Sequence, residues 1–176
     1  KYKVPELLKL LDRLQALHDD HGQEPAVREW LAKGLVNLTN HLGTLAGAGT
    51  YEVPELLKLL DRLQTLHDDH GQEPAVRELL AKGLVNLTGH LGTLARESPA
   101  ALALADGLID RLFALLAIDG NLAIAELAAR GCLVLHLATQ AVHTKLVSTS
   151  GASQKQARRM NAFLGPMASW TAALGT

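Results

Sequence analysis

The sequence predicts an all-α protein: an α-solenoid of antiparallel helical hairpins in about three repeats, closed by a C-terminal capping helix. Three observations carry this. Residues 4–46 recur at 53–95 with only Ala16/Thr65, Trp30/Leu79 and Asn40/Gly89 exchanged, an offset of 49 residues. Asp12-Arg13-Leu14, Asp61-Arg62-Leu63 and Asp110-Arg111-Leu112 carry that spacing into a worn third copy. A fixed period of this order marks arrays whose units bury their apolar faces on one another. Leu and Ala dominate while aromatics make up 3% of the chain, which favours helices packed on helices over sheets.

The first helix opens at Pro5, a good first-turn residue, and ends at Gly22. Its leucines at 7, 8, 10, 11, 14 and 17 follow helical spacing, with Leu7, Leu11, Leu14 and His18 on one face. Gly22-Gln23-Glu24-Pro25 reads as a turn. The second helix runs from Pro25 to about Leu45. Its apolar stripe is Val27, Trp30, Leu31, Gly34, Leu35, Leu38, Leu42 and Leu45, and a polar row of Lys33, Asn37, Asn40 and Thr44 lies beside it. Gly47-Ala48-Gly49 breaks the chain, and the pair repeats at 53–70 and 74–95.

The third copy starts at Ser98-Pro99, with Ser98 as N-cap, and runs to Asp119-Gly120. A long helix follows over about 121–146. This copy is more apolar, and Leu122 stands where the turn proline was. Glycine recurs mid-helix at 34, 83 and 131. Glycine costs about 1 kcal/mol there against alanine, so its recurrence predicts a close approach of the neighbouring helix. The expected organisation is an array over 1–147 (repeats about 4–52, 53–98 and 99–147), a polar linker at 148–153, and a capping helix and tail at 154–176. That last helix, 154–165, stops at Pro166.

Lys+Arg 17 against Asp+Glu 18 leaves a net charge of −1, so nothing drives the chain toward nucleic acid. No window of about 18 uncharged apolar residues is present, so no membrane span is expected. The single cysteine, Cys132, excludes an intramolecular disulfide and fits a reducing, cytoplasmic setting. The start at Lys1 has neither Met nor the apolar core of a signal peptide, which suggests a fragment or a processed or engineered chain.

No complete catalytic site is legible, and neither an enzyme nor a cofactor is expected. His18-Asp19-Asp20-His21 and its copy His67-Asp68-Asp69-His70 form the cluster closest to a metal ligand set, with His18, His21, His67 and His70 as the ligands. The third copy lacks it. The cluster also sits at a helix C-terminus, where histidine is favoured for capping and dipole reasons, so no metal is expected. His41 and His90 lie near the apolar stripe, as satisfied core histidines do. Cys132 lies in an apolar helix, where thiols are inert.

The stretches Trp30-Leu31-Ala32-Lys33-Gly34, Gly49-Thr50-Tyr51-Glu52 and Gly71-Gln72-Glu73-Pro74 resemble the tetratricopeptide repeat, with its aromatic and glycine four apart, Gly-x-Tyr turn and closing proline. The period is longer here, and Lys33 and Asn37 replace the usual leucine and tyrosine. Val4-Pro5-Glu6-Leu7-Leu8 and Leu35-Val36-Asn37-Leu38 are similar to pieces of armadillo and HEAT units. Either family implies an α-solenoid. The tetratricopeptide resemblance implies a protein-interaction scaffold that takes a peptide or helix of a partner in a concave groove. Lys33, Asn37, Asn40, Lys82, Asn86 and Arg130 would project into that groove. Lys33/Asn37 and Lys82/Asn86 have the spacing by which some family members grip a peptide carboxylate. The alternative is a structural unit, engineered or recently duplicated, that forms homo-oligomers by end-to-end stacking or helix exchange.

Overall fold

The computed structural model describes residues 3–49, 52–95, 99–119 and 121–148. These form six helices and no strand: α1 (Val4–His21), α2 (Pro25–Gly47), α3 (Val53–His70), α4 (Pro74–Leu94), α5 (Pro99–Asp119) and α6 (Leu122–Ser148). The helix order and the turns at Gly22 and Gly71 follow the expected pattern. Thr50, Tyr51, the Ser98 cap, residues 149–153 of the linker and the 154–165 helix lie outside the described residues. The chain divides into two compact units, Lys1–Leu87 and Thr88–Thr176, with the division inside α4. The sequence copies end elsewhere, at residues 52 and 98.

In the first unit, α1 packs on α2 and α2 on α3. Leu31, Leu35, Leu42, Leu56, Leu60 and Leu63 are wholly buried there. Each such side chain contributes roughly 1.5–3 kcal/mol of transfer free energy. The mid-helix glycines mark close approaches in matching register. A β-carbon on Gly34 would lie 2.8 Å from Leu14 Cδ1; one on Gly83 would lie 2.8 Å from Leu63 Cδ2 and 3.7 Å from Val36. Leu14 and Leu63 are themselves 49 residues apart, so the two hairpins pack alike.

Their surroundings differ. Leu14 is half-buried, whereas Leu63 is wholly buried. Gly34→Ala should therefore raise stability by up to about 1 kcal/mol, because Leu14 can swing aside and helix propensity improves. Gly83→Ala should lower it by about 1–2 kcal/mol, because Leu63 has nowhere to go. Urea unfolding of the two variants checks the opposite signs.

Polar contacts tie the copies together. The Arg28 guanidinium donates to the Gly22 carbonyl and pairs with Glu73. In the second copy Arg77 makes the matching bond to the Gly71 carbonyl at 2.9 Å. Arg62 on α3 donates to Gln15 Oε1 of α1 at 3.1 Å and lies 3.8 Å from the Asp12 carboxylate.

Trp30 departs from the expected apolar stripe. It is 63% exposed, with the Lys33 ammonium 5.4 Å from its ring centroid. Leu79, at the same position of the second copy, is 9% exposed. Position 30 thus follows the helix pattern, but in the first copy no apolar neighbour among the described residues buries it.

In the second unit α5 packs on α6, with Ala105, Leu112, Ile124 and Ala128 wholly buried. The end of α4 approaches α6 closely: a β-carbon on Gly92 would lie 3.1 Å from that of Ala138. Asn121 caps α6, its Oδ1 accepting the Ala123 amide at 2.9 Å, and so replaces the lost proline as a start signal.

The buried face of α6 matches that of α2 at a different offset from the sequence alignment. Matching Glu126 to Glu29 sets Gly131 opposite Gly34 and Arg130 opposite Lys33. Burial instead matches Ala128, Gly131, Cys132, Leu135, Ala138, Thr139 and Val142 to Arg28, Leu31, Ala32, Leu35, Leu38, Thr39 and Leu42. Thr139 donates to the Leu135 carbonyl at 2.8 Å, as Thr39 does to that of Leu35 at 2.8 Å. Three residues are nearly one helical turn, so the shift keeps the buried face. Leu122–Val142 has the length and composition of a membrane span, with mean hydropathy 1.5. It carries Glu126 and Arg130, which would be costly in a bilayer.

Candidate functional site

The histidine clusters come together differently from their sequence order. The His18 ring lies edge-on to that of His70, with centroids 5.8 Å apart. His18 Nδ1 is 3.7 Å from Asp19, and His67 Nδ1 is 3.4 Å from Asp68. Both ring nitrogens of His18 are buried without a hydrogen-bond partner, while His21 is exposed. Among the described residues no three His, Cys, Asp or Glu side chains converge on a point where a metal ion could sit.

Two titratable groups of the second unit are shifted by burial. Burial pushes the Cys132 thiol up, so it stays protonated at neutral pH. Burial, and secondarily the charge of Asp110 one turn away, raise the Asp106 carboxyl above the usual range. Stability linked to Asp106 is therefore full in acid and falls as pH rises through its folded-state value.

The polar row is solvated and partly self-satisfied. Lys33 pairs with Glu29 at 2.6 Å and Lys82 with Glu78 at 2.6 Å, each one turn toward the helix start and away from the asparagine. Asn37 and Asn40 are exposed and Asn86 is half-buried. Arg130 is exposed in the second unit, at the position that burial matches to Trp30.

An apolar concavity lies elsewhere. A groove of about 440 Å³ runs between α1 and α2, lined by Leu7, Leu10, Leu11, Leu14, Gly34, Asn37, Leu38 and His41. Four leucines at helical spacing make one wall. Gly34 lowers the floor, and Asn37 and His41 supply polar atoms on the α2 side. Of the polar row, only Asn37 reaches it. The apolar face continues outward through Leu10, 45% exposed, Leu17, 44% exposed, and Trp30. A second concavity, about 310 Å³, lies beside His18 and is bordered by Gln15, Asp19, Arg62 and Asp69. Its Arg62 and Gln15 are hydrogen-bonded to each other.

The second copy shows what such a groove accepts. Leu56, Leu59, Leu60 and Leu63 are the counterparts of the groove leucines, and none is more than 4% exposed. α2 covers them, with Val36 against Gly83. The same sequence thus makes a filled groove in one place and an open one in the other.

Sequence reasoning placed the candidate site on the polar row and did not single out the leucine groove. A signal was present: leucines at 7, 8, 10, 11, 14 and 17 span more than the one face that α2 can cover. No protein family matches the chain, and no curated protein or solved structure is significantly similar to it.

Proposed function

We propose that this chain is a non-enzymatic interaction module, a helical-repeat array of α-solenoid type that receives an amphipathic helix of a partner protein in the α1/α2 groove. The observation that carries the reading is the filled counterpart: in the second copy, leucines of the same sequence accept a helix. Apolar anchors laid into a leucine groove are an established mode of helix recognition. The tetratricopeptide-like resemblance supports the same class of function. It would seat the ligand on the polar row instead, where Lys33 and Lys82 already hold carboxylates of their own helices.

The test uses a leucine–lysine amphipathic helical peptide, made with either a free or an amidated C-terminus. Fluorescence anisotropy should show saturable binding that Leu10→Glu weakens at least tenfold, about 1.4 kcal/mol. Leu10 is half-exposed, so that change leaves the fold intact. Amidation, and Lys33→Ala with Lys82→Ala, should change affinity less than threefold. Binding indifferent to Leu10→Glu, or lost on amidation, contradicts the groove reading; the latter result moves the site to the polar row.

A further inference from the structure

We infer that the open face of α1 and α2 is built for one particular occupant: a helical hairpin with the sequence character of residues 4–46, carried by a partner chain with its trailing face free. The inference rests on the groove reading above and adds the identity of the ligand. The second copy supplies a template with three contacts. Val36 packs against Gly83, Arg28 pairs with Glu73, and Arg62 reaches Gln15 and Asp12.

Each receiving residue has its counterpart on the open face. Gly34 stands for Gly83, Glu24 for Glu73 and Arg13 for Arg62, at the same 49-residue offset. Glu24 and Arg13 are both exposed. Leu10 and Leu17 are 45% and 44% exposed here, whereas their counterparts Leu59 and Leu66 are 4% and 3% exposed. Trp30 adds a large apolar surface where the covered copy has Leu79.

The apolar part of this face would accept many amphipathic helices. The two charges make it selective. An incoming hairpin must bring an arginine to Glu24 from its second helix, eight positions before the small apolar residue that meets Gly34. It must bring an Asp and a Gln, three apart, to Arg13 from its first helix. Opposite charges at separated points set register and reject partners that cannot match them. Within this chain the matching surface of α2 is already occupied by α3, so the hairpin has to come from elsewhere.

The probe is a synthetic peptide of residues 25–47, titrated into the whole chain and followed by anisotropy. Expected is binding at least tenfold tighter than that of a leucine–lysine helix lacking the arginine. Glu24→Arg in the protein should abolish this preference, and a peptide carrying Arg28→Glu should restore it on the Glu24→Arg protein. Equal affinity for the two peptides, or no rescue by the charge exchange, overturns the inference while leaving a general helix-binding groove standing. Failure of both peptides to bind overturns the groove reading itself.

Discussion

Leu59→Ala and Leu66→Ala should each cost about 2–4 kcal/mol of stability, whereas Leu10→Ala and Leu17→Ala should each cost less than about 1 kcal/mol. The two pairs occupy identical positions in nearly identical helices. Leu59 and Leu66 are 4% and 3% exposed; Leu10 and Leu17 are 45% and 44% exposed. Truncating the first pair leaves cavities under α2, while truncating the second removes surface that water already reaches. Alanine is also the better helix former, which offsets part of the loss in α1. Urea denaturation of the four single variants measures the contrast. Equal losses in both helices would mean that α1 is covered in solution.

Arg28→Met should destabilise by about 2 kcal/mol, because it leaves a half-buried carbonyl and a carboxylate without their partner. Arg28 is 7% exposed and bridges Gly22 at the end of α1 to Glu73 in the turn before α4. The Glu73 side chain is 27% exposed, so water recovers part of its loss and the figure sits below that of a fully buried pair. Glu73→Gln alone should cost about half as much. The double variant should then cost clearly less than the two single losses combined, since both remove one interaction. Additive losses would place the stabilising role of Arg28 in the Gly22 bond alone.

The helices were legible because their signals are local. Pro5, Pro25, Pro54 and Pro74 start them, Gly22 and Gly71 stop them, and leucine spacing fills them. The close approach at Gly34 and Gly83 was legible too, since an unfavourable residue recurring in register needs a packing reason. Burial was not legible, because it depends on what lies across the helix. Trp30 and Leu79 have the same local pattern and opposite environments. The groove was not singled out for the same reason: Leu7, Leu10 and Leu14 read as core, and only the absence of a helix over them among the described residues makes them a surface. In α6 the Ala-rich sequence weakens the match to α2, and its buried face coincides with that of α2 at an offset of 100 residues rather than at the 97 that aligns Glu126 with Glu29. His18 facing His70 could not be foreseen, because residues 52 apart meet only once the hairpins are packed.

Amide hydrogen exchange gives the most direct test that one sequence is covered in its second occurrence and open in its first. α1 and α3 differ only at Ala16/Thr65, so their intrinsic exchange rates are nearly equal, and fragments containing those residues separate by mass. Slower exchange throughout α3 than in α1, by at least tenfold at matched positions, is the predicted result. Equal protection of the two helices, or stronger protection of α1, would contradict the account.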